Sequence, residues 1–194
     1  MSEVKNNKWN MLNVADDLKG RAVLKSDTGE KLGEVEDLIL HPTNGHVLGV
    51  GLRTMEGASV ALAAGDCIIG PDAVMVAAGT LRPTTDTGDV LAGGVNSGTL
   101  IGANVVTKDG KLLGRVSEVH VSEKFQIAIY RVAESTLQRF FGGGFFLAGN
   151  MPLAYSLDGK RLIVPSDTED KHARTSLAEA VESSTGGIER AVGA

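Results

Sequence analysis

An internal repeat constrains this chain more than any other feature. Leu18-Lys-Gly-Arg-Ala-Val-Leu24 aligns with Leu100-Ile-Gly-Ala-Asn-Val-Val106. Gly29-Glu-Lys-Leu-Gly-Glu-Val-Glu-Asp-Leu-Ile-Leu40 aligns with Gly110-Lys-Leu-Leu-Gly-Arg-Val-Ser-Glu-Val-His-Val121. The offset is 82 residues at Gly20/Gly102 and 81 at Gly33/Gly114, a one-residue change in the turn between them. Gly70–Val76 then matches Asp158–Val164 at offset 88, so the second copy carries seven extra residues between those landmarks. Three matches in the same order argue for one module used twice.

Each copy reads as β-structure. Arg21–Lys25 alternates, Asp27-Thr28-Gly29 turns, and Leu32–Leu40 is a longer strand. Pro42-Thr43-Asn44-Gly45 follows, with Asn-Gly favouring the positive φ of a tight hairpin. Leu48, Val50 and Leu52 share one face of Val47–Leu52, and Ser59–Ala63, Cys67–Ile69 and Ala73–Val76 complete the copy. Composition agrees: 25 Gly, 5 Pro and 4% aromatics suit short strands and tight turns, while 42% apolar residues can fill a core. Five or six short strands in about sixty residues imply a small closed barrel, because closure removes pairing-prone edges. The expected fold is mainly β: two tandem small barrels with short helical additions.

The organisation expected is an N-terminal extension (1–17), barrel 1 (18–78), a Gly/Thr/Asp-rich linker (79–99), barrel 2 (100–166) and a polar, partly helical C-terminal tail (167–194). Within the tail, Ser176-Leu-Ala-Glu179 has capping-box spacing, predicting a short helix that ends by Gly186-Gly187. The first residues lack an apolar signal core, and glycines break both long uncharged runs, Val90–Thr107 and Phe140–Leu157. A cytoplasmic protein without a transmembrane segment is expected.

The repeated residues resemble the PRC-barrel domain, found in the photosynthetic reaction centre H subunit and in the ribosome maturation factor RimM. The resemblance is carried by Leu18-x-Gly20, by Gly29-x-x-x-Gly33-x-Val35-x-Asp37 with the apolar tail Leu38-Ile39-Leu40, and by the turn before Gly45-x-Val47. In the second copy it is carried by Leu100-x-Gly102 and Gly110-x-x-x-Gly114-x-Val116-x-Glu118. It implies a barrel fold and a tendency to dock on larger assemblies. It does not transfer either relative's role, because function resides in sites.

Catalytic equipment is missing from the pattern. There is no Gly-x-Ser-x-Gly, Walker loop, Gly-x-Gly-x-x-Gly, His-Glu-x-x-His or Cys-x-x-Cys. His41 and His46 flank the Pro42–Gly45 turn but lack a third zinc ligand. His120 has Ile39 as its counterpart, and His172 lies in the polar tail. Cys67, the single cysteine, sits among apolar residues without a neighbouring cation and reads as core. Asp37 and Glu118 put a carboxylate in both copies. The structural reading, acceptors for backbone N–H groups where a long strand bends, outweighs an acid/base role. Neither catalytic residues nor cofactor nor metal are expected, and the chain reads as a non-enzyme.

Two features point to partners. The first copy has 8 acidic and 5 basic residues (−3), the second 5 and 8 (+3), within a net charge of −5 that disfavours whole-protein binding to nucleic acid. Phe140-Phe141-Gly-Gly-Gly-Phe145-Phe146 holds four of the five phenylalanines. Leu137, Phe140 and Phe141 have the spacing of a short amphipathic helix stopped at Gly142, and Arg131 and Arg139 flank the aromatics. These seven residues, Leu137, Phe140, Phe141, Phe145, Phe146, Arg131 and Arg139, form the expected partner-binding set, the competing reading being that the helix plugs barrel 2. The leading expectation is an adaptor for another protein or for a homo-oligomer. The alternatives are RNA or ribosome-assembly binding through the positive copy, with Phe125 and Tyr130 interleaved, and peripheral membrane contact through Phe140–Phe146.

Overall fold

The computed structural model describes residues 12–77, 93–122, 128–134, 143–156, 158 and 160–185. It is mainly β, with fourteen strands among the described residues. The first half runs β1 (Leu12–Val14), α1 (Ala15–Leu18), β2 (Ala22–Lys25), β3 (Lys31–Leu40), β4 (Val47–Thr54), β5 (Ser59–Ala63), a 3-10 turn (Ala64–Asp66), β6 (Cys67–Ile69) and β7 (Ala73–Val76). The second runs β8 (Val95–Asn96), α2 (Ser97–Leu100), β9 (Asn104–Thr107), β10 (Leu112–Ser122), β11 (Ala128–Glu134), β12 (Phe145–Ala148), β13 (Ala154–Ser156) and β14 (Arg161–Val164). Two helices, α3 (Thr168–Lys171) and α4 (Leu177–Thr185), end the described chain.

The repeat governs the pairing. One sheet has the order β5-β4-β3-β2-β7-β6 and the other β12-β11-β10-β9-β14-β13, the same path in both halves. Even register repeats: Ala22 lies opposite Ala73 in a parallel pair, and Asn104 opposite Arg161 in its counterpart. Closure is the one part of the expected barrel that is not realised. Among the described residues no ladder joins β5 to β6, where the 3-10 turn spans the gap. Gly33 and Gly114 show why glycine recurs in the long strands: a Cβ would lie 2.0 Å from the Arg53 carbonyl oxygen, or 2.3 Å from that of Ala133. Those distances are set by backbone on the facing strand, so no rotamer change relieves them.

The seventh strand of each sheet comes from the other half. β1 pairs with β10 through Val14↔His120 and Asn13↔Val121, while β8 pairs with β3 through Ile39↔Asn96 and Leu40↔Val95. Residues 95–99, which the sequence assigns to the linker, therefore form a strand and a helical turn seated on the first sheet. The Pro42–Gly45 hairpin turn reinforces this exchange. Gly45 has φ +62°, and its Cα hydrogen faces the second half so closely that a Cβ would meet Gly149 Cα at 2.7 Å. Across this contact Ala128 N–H donates to the Gly45 carbonyl (3.2 Å), Leu153 N–H to Thr43 (3.2 Å) and Tyr155 N–H to Pro42 (3.0 Å). One apolar cluster accordingly draws on both halves, including Leu18, Val23, Leu38 and Leu62 from the first and Leu100, Val105, Val119 and Leu147 from the second.

The tail helix behaves as its capping residues imply. Glu179 N–H donates to Ser176 Oγ (3.2 Å), and Glu179 Oε2 accepts from both N–H and hydroxyl of Thr175 (3.1 Å each). A helix of nine residues is marginal alone, and α4 is held by packing on β12 with Ala180 fully buried.

Candidate interaction surfaces

Strand alternation gives each sheet a core face and an outer face, and the outer faces differ sharply between halves. In the second half Glu118, Arg131 and Phe146 lie in one row across β10, β11 and β12. Arg131 Nη1 donates to Glu118 Oε1 at 2.6 Å. His120, two residues along from Glu118, is buried with its ring centroid 6.1 Å from that of Phe146. Its Nε2 lies 3.0 Å from Glu118 Oε2. Burial pushes the imidazole pKa down, against the upward pull of the Glu118 carboxylate. The open edge of β12 is capped by the tail: Phe146 N–H donates to the Arg174 carbonyl (2.8 Å) and Arg174 N–H to that of Phe146 (3.0 Å).

In the first half the equivalent row is Asp37, Gly51 and Ala61. Asp37 sits where the β3–β4 register shifts, and its Oδ1 accepts from Leu38 N–H at 2.8 Å. Ser97 Oγ donates to the same oxygen at 2.5 Å, and Gly98 N–H reaches both carboxylate oxygens at 3.3 Å. Lys19 Nζ is 3.6 Å from Oδ2. The carboxylate thus ties the start of α2 to β3, a structural use that extends the expected one across the two halves. Beside it, small residues leave a groove of about 240 Å3 walled by Asp37, Ile39, Ala61 and Asn96 and open to solvent. A second cleft of about 310 Å3 lies where the tail meets Asn150–Pro152, with Lys171, His172 and Arg174 on its wall. Arg174 is engaged there by Ser183 Oγ (3.1 Å) and the carbonyls of Lys171 and Ala173 (2.8 and 2.9 Å).

Of the expected partner-binding set, Leu137, Phe140, Phe141 and Arg139 lie outside the described residues, as does the helix expected there. Phe145 is half-buried against the shared core, and Phe146 is half-buried on the outer face beside His120. Arg131 is exposed and paired with Glu118. Tyr130 is fully buried, its pKa pushed up by burial and its hydroxyl without a hydrogen-bond partner among the described residues. It is therefore not placed to stack on RNA. Phe125 lies outside the described residues.

The remaining sequence candidates occupy structural positions. His41 N–H donates to the His46 carbonyl across the hairpin (2.8 Å), while His41 Nδ1 meets the Thr43 N–H and hydroxyl (3.2 and 3.1 Å). Cys67 is buried, its thiol pushed up to about 12 by burial and by Asp66. The His120–Glu118–Phe146 arrangement was not read from sequence, because His120 faces Ile39 in the alignment. The signal was present in the two-residue spacing of Glu118 and His120, which β10 aims at one face just past its register shift at Val116/Glu118.

No helix among the described residues is long and apolar enough to cross a membrane. No curated protein matches the sequence. The PRC-barrel domain does match, over residues 14–82, a span that opens at the end of β1 and takes in the whole path from β2 to β7. That stretch, with its recurrent glycines, bent long strand and Asn-Gly hairpin, is a PRC-barrel domain.

Proposed function

We propose that the chain is a non-enzymatic cytoplasmic adaptor: two tandem PRC-type copies, locked together, that present their outer sheet faces to another protein. The observation that carries this reading is the PRC-barrel domain at residues 14–82 whose β3 is completed by β8 of the other half. Support comes from the use made of the reactive side chains. Asp37 clamps α2, and Cys67 is core. In the sequence, the aromatic–basic stretch from Leu137 to Phe146 is the feature best suited to anchor a partner.

The test uses the intact tagged chain in extract from the native organism, with light scattering on the purified protein. The wild type should retain one protein in stoichiometric amount, or give a defined oligomer. Phe140→Ser with Phe141→Ser should lose it without changing the circular dichroism. Phe145 is spared because its ring belongs to the core. A monomer that retains no protein, or one that holds RNA on a filter with steep salt dependence, overturns the reading.

A further inference from the structure

The strand registers place Gly51 and Ala61 of the first half where the second half has Arg131 and Phe146, and Asp37 where it has Glu118. One half fills this outer position with its own aromatic ring and guanidinium; the other leaves a groove. We propose that the groove over β3, β4 and β5 receives a segment of a partner protein that presents an aromatic ring next to a basic side chain. The inference rests on the adaptor reading and names the chemistry it recognises.

Three observations support that occupant. The second half shows the seating itself, with Phe146 beside His120 and Arg131 on the Glu118 carboxylate. The groove is lined by two carboxylates, Glu36 and Asp37, each with one cation beside it, Arg53 at 3.0 Å and Lys19 at 3.6 Å. The net charge of this half is −3, and that surplus negative charge favours a basic segment that would share those carboxylates. Its volume of about 240 Å3 is below the roughly 300–1,000 Å3 of small-molecule pockets, and suits one or two side chains. The neighbouring backbone adds a docking mode. The tail pairs with the outer edge of β12 at Arg174, whereas among the described residues nothing pairs with the outer edge of β5. A partner segment laid along β5 would gain main-chain hydrogen bonds while its alternate side chains enter the groove.

The groove can be filled by transplanting the second half's residues. Gly51→Arg sets a Cβ 3.3 Å from the Asp37 carbonyl oxygen, a tight contact that requires β3 to yield by a few tenths of an ångström. The probe is a fluorescein-labelled hexapeptide, Gly-Arg-Ser-Phe-Ser-Gly, whose arginine and phenylalanine fall on one face of a strand, titrated with the full chain by fluorescence anisotropy. Saturable binding is expected with the wild type. It should weaken at least about tenfold with Gly51→Arg/Ala61→Phe, and equally when alanine replaces the peptide's phenylalanine, the loss of one buried anchor. Ala61→Phe alone serves if the double variant unfolds. Absent binding, or binding indifferent to both changes, overturns the proposal. So does binding that emerges only when residues 78–92 are replaced by a Gly-Ser connector, which assigns the groove to the chain itself. A wild-type dimer that the filled variant breaks assigns it to a second copy, and also overturns the proposal. A filled variant that still captures the wild-type partner removes the groove and leaves the adaptor reading standing; a wild type that captures nothing removes the adaptor reading.

Discussion

His120 shows how one residue's environment turns a repeat position to a different use. Ile39 at the same point of the first sheet is half-buried on the outer face, whereas His120 is held beneath Phe146 and beside Glu118 and Arg131. Burial keeps its pKa below the ordinary 6.5. In the unfolded chain the imidazole returns to that value. Between the two values the unfolded chain binds the additional proton, so stability is fully present above 6.5 and falls as pH drops toward the folded value. Urea midpoints measured from pH 7.5 down to 5.5 should therefore decline more for the wild type than for His120→Gln. Parallel declines would show that the pull of Glu118 cancels the burial.

Elements explain both the reach and the limit of the sequence. Ser59–Ala63, Cys67–Ile69 and Ala73–Val76 form the strands that their alternation and bounding turns imply, because each buries a face locally decided by period two. β8 is different. Two residues between glycines and a serine carry no period, and their strand character comes from Ile39 and Leu40, distant in sequence. The groove was hidden for the same reason: Gly51 and Ala61 become neighbours only through register. Asp37 and Glu118 look equivalent in the alignment, yet their elements use them unequally. Asp37 is mostly shielded and accepts from Ser97 and Gly98, while Glu118 pairs with a half-exposed Arg131. Asp37→Ala should cost about 1–3 kcal/mol by leaving those donors unpaired, and Glu118→Ala no more than about 1 kcal/mol. Ser97→Ala should add little once Asp37 is gone, as a double-mutant cycle by chemical denaturation would show. Equal costs for the two carboxylates would refute the clamp.

At the scale of the whole molecule, the exchange of β1 and β8 makes each sheet depend on the other half of the chain. Removing β8 and α2 takes Val95 and Leu100 away from a cluster that contains Leu38 and Leu40. Removing the second half also strips the Pro42–Gly45 turn of its three main-chain donors. Neither loss is repaired within the first half, whose remaining residues are close to the size at which a single core is marginal. The intact chain should therefore melt in one calorimetric transition with matching calorimetric and van't Hoff enthalpies. Chains cut between residues 85 and 86 should each lack a cooperative transition near that temperature and recover it on mixing. Two resolved transitions in the intact chain, or a first-half fragment that melts cooperatively at the full-length temperature, would mean that the exchanged strands decorate two self-sufficient modules. Cooperative melting would instead make the connector a structural requirement, since it must deliver β8 to β3 before either sheet is complete.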